Sequence, residues 1–114
     1  THWMQLHFKK LTKIKEIAWY LDGNRDKEFL PQNVEIYCGN DDKDCEQIGI
    51  DTIPNLFVGW HYFRMSTFKS GKKIKNKPTP EGLIITKFLW LKVSSVHNNG
   101  FEMRLRAMII YGDD

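Results

Sequence analysis

The 114-residue chain is poor in cysteine, with only Cys38 and Cys45. Two cysteines can form at most one bridge, which excludes the disulfide-built scaffolds of small secreted domains. Their spacing also differs from the C-x-x-C pair of redox and zinc sites. We therefore expect two reduced thiols in a reducing compartment.

Long apolar runs and helix signals are also scarce. The longest apolar run, residues 83–91, is interrupted by two polar residues and is shorter than the roughly 18 residues of a membrane helix. The first ten residues lack both an initiator Met and the apolar stretch of a signal peptide, which predicts an internal fragment. Only residues 41–50 show a possible short helical turn, with an aspartate as its N-cap.

The residues that are present predict β-strands. Apolar residues make up 41% of the chain, enough for the core of one domain, and recur with a period of two or in short runs. The predicted strands are residues 3–8 (closed by Lys9-Lys10), 14–21, 34–38, 53–62 (irregular or at an edge), 83–93 (central, buried on both faces) and 103–111. Short strands separated by turns predict an all-β, antiparallel sandwich or barrel with little helix.

One segment, residues 69–82, is unusually rich in lysine. Five lysines fall within residues 69–77, more than the net charge of +3, so the remainder of the chain is slightly acidic. Like charges repel one another, and no aromatic residue alternates with the lysines except Phe68 at the edge. A solvated surface loop is therefore favoured over a phosphate-binding arm, which stays open as an alternative.

Four carboxylates come close together in the sequence, at Asp41, Asp42, Asp44 and Asp51. Clustered oxygens can bind calcium, but the loop lacks the fuller ligand pattern of an EF-hand. We predict a solvated turn here, without a metal.

No catalytic constellation can be built from the sequence. Ser94, Ser95 and His97 are neighbours, but strand alternation sends the two serines to opposite faces, and no acid is identified to orient the imidazole. The segment from His97 to Gly100 is predicted to be a turn, because Asn-Gly favours a tight hairpin. Its amides and imidazole can also bind a peptide backbone, since each group donates and accepts hydrogen bonds.

Three segments, in order, resemble the DOC domain family. Tyr20–Asn40 contains a strand ending in Tyr-x-Asp, then an acidic-aromatic-x-Pro segment, then a strand closing in Gly-Asn. Gly59-Trp60 looks like the Gly-Trp that opens a later strand of the family. Val96–Tyr111 lines up without gaps on the family's His-x-Asn-Gly loop and closing strand. The match covers nearly the whole chain.

This resemblance implies a galactose-binding-like β-sandwich jelly roll. It is closest to the branch of the family found in the anaphase-promoting complex, a ubiquitin ligase. It implies a non-catalytic subunit of an E3 ubiquitin ligase, which acts with an activator protein as a co-receptor for destruction-box degrons. The implied partners are the other ligase subunits, the activator and the destruction-box substrates, with no cofactor, nucleic acid or membrane. The implied location is nuclear and cytoplasmic.

The resemblance also implies site residues. The degron-binding loop would be His97, Asn98, Asn99 and Gly100, and the turn with Asp26 and Glu28 is expected beside it at the same end of the sandwich. Asn99 is expected to hydrogen-bond the degron backbone, and His97 to shape or contact the pocket. Position 28 is Glu where the family has a small hydroxyl residue, which either favours a basic degron residue or removes this contact.

The chain departs from the family pattern in three further places. The family's segment before the first strand is missing, and the Ile-Arg tail that docks the family's subunit on a scaffold is absent. The stretch from Phe63 to Thr86 is longer than the family's and contains the lysine-rich insertion, residues 69–82. We therefore expect a single DOC-like domain over residues 1–114 that lacks the N-terminal part of the family domain.

A second class of function stays open at this point. A carbohydrate- or lipid-binding jelly roll can have the same fold, because a fold does not determine function. Such a module is expected to expose aromatic side chains, such as Trp60 or Tyr62, at its loop tips.

Overall fold

The computed structural model describes residues 2–41, 43–67, 78–100 and 107–112. These residues form six strands, listed here in chain order: β1 (His2–Asp22), β2 (Pro31–Gly39), β3 (Cys45–Thr52), β4 (Val58–Arg64), β5 (Ile84–Val96) and β6 (Ala107–Gly112). Every strand pair is antiparallel. Helical structure in the described ranges is limited to two short 3-10 turns, Met65–Thr67 and His97–Asn99. The predicted all-β, antiparallel class with little helix is confirmed.

The strands are organised around β1. Its first half pairs with β5, and its second half lies between β4 and β6. The strand order is β3-β2-β5-β1-β4, with β6 also paired to β1. Because the two halves of β1 have different neighbours, the sheet curls into two layers, as in a jelly-roll sandwich. None of the described residues forms a helix long and apolar enough to cross a membrane.

A β-bulge allows β1 to contribute to both layers. The pairing of β1 with β6 shifts between Ile14 and Glu16, so Lys15 is an additional residue in the strand. Ile14 is fully buried before the shift, and Ile17 and Trp19 are buried after it. One additional residue exchanges the two faces of a strand. The large inward side chains of β1 therefore change from even to odd positions after the bulge, where the small Ala18 is buried as well.

A single core lies inside the curled sheet. It consists mainly of buried aliphatic side chains from all strands except β6, whose apolar side chains pack against it at partial burial. Its fully buried members include Ile14, Ile17, Leu21, Ile36, Ile48, Ile84 and Leu89. Removing such side chains from water is the main favourable contribution to folding.

The predicted strand boundaries are wrong in two places near the start of the chain. Residues 3–8 and 14–21 belong to one strand, and Lys9-Lys10 lies within it with both side chains exposed. The β1–β5 pairing shifts between His7 and Thr12, so the lysines mark an interruption in the ladder and not an end of the strand.

The predicted helical turn in residues 41–50 is also wrong, since β3 begins at Cys45. Asp41 instead caps a turn by accepting hydrogen bonds from two backbone N–H groups, each at 2.8 Å.

Two later strands also differ from their predictions. The strand predicted over residues 53–62 starts only at Val58, but it lies at an edge as expected. The predicted strand 83–93 is central, but it is fully buried on only one face. Its other face is covered partly by aromatic contacts, such as His7 stacked on Phe88 with ring centroids 4.2 Å apart. The lysine-rich residues 69–77 and the first four residues of the predicted strand 103–111 lie outside the described residues, and β6 covers Ala107–Gly112.

The two cysteines, both described, are thiols and not a disulfide, as predicted. Burial raises the pKa of the Cys38 thiol to about 12, because the low-polarity core disfavours the thiolate. Cys45 is partly exposed at the start of β3.

These environments predict different reactivities for the two thiols. The thiolate is the nucleophile, and burial keeps the Cys38 thiol protonated well above neutral pH because it raises the pKa. Cys45 is expected to react with iodoacetamide in the folded protein, and Cys38 only after denaturation. Mass spectrometry of alkylated peptides, with a denatured sample as control, measures this. Equal labelling of both cysteines in the native protein would contradict the burial of Cys38.

Candidate functional site

Three connections meet at one end of the sandwich. They are the loop between β1 and β2 (residues 23–30, the 23–30 loop), the loop between β3 and β4 (residues 53–57, the 53–57 loop) and the turn after β5 (residues 97–100, the 97–100 turn). The Gly23 N–H donates to the Phe57 carbonyl at 2.7 Å, which joins the first two loops. The His97 N–H donates to the Leu30 carbonyl at 2.9 Å, which joins the first loop to the turn. Backbone hydrogen bonds therefore fix the three segments relative to one another.

His97 also anchors the 97–100 turn through its side chain. Its Nε2 lies 2.6 Å from the Ile53 carbonyl oxygen. A carbonyl oxygen can only accept, so Nε2 carries the hydrogen, and Nδ1 is the acceptor of the neutral ring. The half-buried imidazole thus connects the turn to the 53–57 loop with a defined tautomer.

Asn98 lies at the tip of the turn and is exposed. Its backbone has φ 57° and ψ 31°, the left-handed conformation that Asn tolerates better than most residues. Its Nδ2 donates to the Lys27 carbonyl at 2.8 Å. The amide oxygen keeps its capacity to accept hydrogen bonds from a ligand.

Gly100 packs directly on the 23–30 loop. A Cβ at this position would overlap the carbonyl oxygen of Glu28, so only glycine allows the two segments this approach. The backbone of Gly100 has an ordinary extended conformation, so the requirement for glycine is steric. Asn99 belongs to the 3-10 turn, but its side chain lies outside the described residues.

The structure brings the 97–100 turn and the turn with Asp26 and Glu28 together, as the family resemblance implied. The two predicted carboxylates differ in their surroundings. Glu28 is exposed beside Gly100, whereas Asp26 is only 1% exposed. The backbone of Asp26 donates to the Asp22 carbonyl and accepts from the Phe29 N–H. Its burial makes Asp26 a residue that shapes the loop, while the Glu28 side chain is exposed at the surface.

Several residues of this end were not assigned to it from the sequence, and Asp51 was considered only as one of four clustered carboxylates. Asp51 and His61 flank the 53–57 loop and are hydrogen-bonded to each other, at 2.7 Å. Leu56 has φ 59°, a strained value for a side chain of its size, and is 47% exposed at the rim. No local pattern in the sequence relates these residues to the 97–100 turn.

An apolar cavity of about 60 Å³ lies beneath the loops. It is lined by Trp3, Met4, Trp19, Pro31, Val34, Ile53, Leu91 and Val93. Pro31 and Ile53 also border the 23–30 and 53–57 loops, so the cavity belongs to the same end of the sandwich. Its apolar walls suit a hydrocarbon group better than an ion.

The alternative sites from the sequence are dispersed in the structure. Asp41 and Asp44 precede β3, whereas Asp51 lies near the other end of that strand, and Asp42 lies outside the described residues. The described ranges contain no group of three metal-ligating side chains. Trp60 and Tyr62, proposed for loop tips, lie within β4. The lysine-rich residues 69–77 are outside the described part of the chain.

Comparison with known proteins gives one finding. The family model for "Anaphase-promoting complex, subunit 10 (APC10)" matches residues 1–114, the whole chain. No curated protein matches the sequence.

Proposed function

Because the chain belongs to the family of anaphase-promoting complex subunit 10 (APC10), we propose that it is a non-catalytic substrate-recognition subunit of an E3 ubiquitin ligase. It acts with an activator protein as a co-receptor for destruction-box degrons. Its partners are the other subunits of the ligase, the activator and the degron-bearing substrates. We propose a nuclear and cytoplasmic location for this activity.

The joining of the 97–100 turn to the 23–30 loop is the observation that carries this proposal. The Asn98 side chain binds the Lys27 carbonyl, and Gly100 packs against Glu28. These contacts present an amide, a carboxylate and the polar backbone of two loops on one rigid surface. Preorganised donors and acceptors of this kind suit an extended peptide, because little ordering is needed on binding.

The position of Glu28 supports a preference for basic degron residues. Its carboxylate is exposed beside the turn and can attract a lysine or arginine of the peptide. Exposed ion pairs contribute about 0–1 kcal/mol and weaken with salt. Glu28 therefore contributes mainly to peptide selectivity, and the Asn98 amide and the backbone groups provide the main contacts.

A peptide titration tests the proposed site. A destruction-box peptide is titrated into the ligase complex that contains this chain isotopically labelled, with and without the activator. We expect chemical-shift changes at His97, Asn98 and Gly100 that strengthen when the activator is present. Peptide-dependent shifts confined to other surfaces of the assembled complex would show that the site is assigned wrongly.

Glu28→Gln is expected to weaken binding of a peptide with a basic residue about two- to fivefold at low salt, with little change at 0.5 M salt. The reason is loss of an exposed charge attraction that salt screens. Isothermal titration calorimetry at two salt concentrations measures the change. Glu81→Gln is the matched control, since Glu81 is exposed in the turn before β5, at the opposite end of that strand from the site. Equal weakening by both substitutions would point to net charge and not to a contact at Glu28.

A further inference from the structure

A buried hydrogen-bonded group lies just behind the candidate site. The Asp51 carboxylate is 6% exposed and accepts two hydrogen bonds. Its Oδ2 accepts from Trp19 Nε1 at 3.0 Å, and its Oδ1 lies 2.7 Å from His61 Nε2. A buried carboxylate is costly unless its oxygens are hydrogen-bonded, and here each oxygen has a donor.

These three residues come from three different strands. Asp51 lies near the end of β3, His61 in β4 and Trp19 in the second half of β1. β3 and β4 are at opposite ends of the strand order, so no backbone ladder joins them. The Asp51–His61 hydrogen bond therefore closes the base of the 53–57 loop, which links these two edge strands.

Both ends of the closed loop support the candidate site. At one end, the Ile53 N–H donates to the Gln32 carbonyl, and the Ile53 carbonyl accepts from His97 Nε2. At the other end, the Phe57 ring packs edge-on against His61 with centroids 5.2 Å apart, and the Phe57 carbonyl accepts from Gly23. The 97–100 turn and the 23–30 loop thus both rest on a loop whose base is held by Asp51.

We propose that Asp51, held by Trp19 and His61, is a positioning residue of the degron site. It fixes the 53–57 loop so that the Ile53 carbonyl holds His97 with its hydrogen on Nε2. The neutral ring then has its acceptor on Nδ1, which is suited to an N–H donor of the bound peptide. This inference rests on the proposed function, since it assigns a hydrogen-bond acceptor, His97 Nδ1, to that same site.

Asp51→Ala tests the proposal in the ligase complex with its activator. We expect destruction-box peptide affinity to fall about tenfold or more, in line with losses seen when supporting groups of a site are removed. We also expect the nitrogen spectrum of the His97 ring to lose its single Nε2–H tautomer. Trp19→Phe, which removes one hydrogen bond and keeps an aromatic ring in the core, is expected to show both changes more weakly. Asp51→Asn is expected to retain more affinity than Asp51→Ala, because the amide oxygen can accept from Trp19 Nε1 and the NH2 group can donate to His61 Nε2 in the other tautomer of that ring.

Thr86→Val is the matched control. Thr86 is a buried hydrogen-bonding residue that contacts Gly39 and Phe88 at the far end of the sandwich. It is expected to lower stability without changing the His97 tautomer or the peptide affinity of the folded protein. Two results would overturn the proposal: unchanged tautomer and affinity in both Asp51→Ala and Trp19→Phe, or equal losses of affinity in Thr86→Val. If Asp51→Ala does not fold, the His97 tautomer and the peptide affinity of Trp19→Phe test the proposal.

If the proposed function itself is wrong, the same measurements give a different result. The wild-type complex would then not bind the peptide at this domain, whereas the His97 tautomer can still be compared between the wild-type protein and Asp51→Ala. A tautomer change without peptide binding would support the positioning of His97 and reject the degron site.

Discussion

Replacing Gly100 with alanine is expected to weaken destruction-box peptide binding about tenfold or more and to destabilise the fold by about 2 kcal/mol. The added Cβ would overlap the Glu28 carbonyl oxygen, and it would also meet Val96. The turn can escape this overlap only by moving away from the 23–30 loop. That movement breaks the Asn98–Lys27 hydrogen bond and separates the two halves of the candidate site.

Gly39→Ala is the matched control for this prediction. A Cβ at Gly39 would overlap the Asp44 carbonyl oxygen, a similar steric conflict at the opposite end of β2. It is expected to lower stability and to leave the peptide affinity of the folded protein unchanged. Chemical denaturation measures the first quantity, and calorimetric titration of the ligase complex measures the second. Equal affinities for the Gly100→Ala and wild-type proteins would exclude the 97–100 turn from the binding surface.

The largest expected effect on stability is that of Ile17→Ala, a loss of about 3 kcal/mol. Ile17 is fully buried in the second half of β1, paired with Phe63 of β4 on one side and Ile110 of β6 on the other. Removing three carbon atoms there loses their transfer from water and leaves a cavity that a paired strand cannot close.

Leu11→Ala is the control for Ile17→Ala. Leu11 lies in the same strand but is 53% exposed, so its truncation is expected to change stability by less than about 0.5 kcal/mol. Ile17→Val, which removes one carbon, is expected to cost about 1 kcal/mol. Urea denaturation of the three variants measures these values. Similar losses for Ile17→Ala and Leu11→Ala would contradict the placement of β1 between β4 and β6.

The sequence was sufficient to predict the features that depend on local pattern. Alternation in residues 34–38 located β2, and the Asn-Gly signal located the turn at residues 97–100. The tight hairpin expected there was wrong, because Asn98 and not Gly100 has the positive φ, and among the described residues β5 and β6 each pair with β1 and not with each other. The continuity of β1 was not predictable in this way. Lys9-Lys10 resembles the end of a strand, and only tertiary pairing shows that the chain continues through it. β3 was missed because it contains only two isoleucines, and a register shift in its pairing with β2 leaves Ile48 buried and Ile50 exposed, which breaks the alternation.

The hydrogen bonds of Asp51 that support the candidate site could not be predicted from the sequence either, and the reason is different. Trp19 and Asp51 are 32 positions apart, and Asp51 and His61 are ten apart across a loop. Hydrogen bonds between such positions depend on how the two layers close, and no local propensity encodes that closure. The proximity of Glu28 and Gly100 was expected only because an ordered family resemblance placed both turns at one end.

The sharing of β1 between the two layers has a consequence for how the protein is made. Among the described strands, β1 pairs with β4, β5 and β6 and not with β2, the next strand along the chain, and β5 begins only at Ile84. The fold therefore has a high contact order, which slows folding because long segments must be closed before contacts form. During translation the apolar positions in the first half of β1 stay unpaired until β5, which begins at Ile84, has left the ribosome. The nascent chain is accordingly expected to depend on chaperones that bind extended apolar segments.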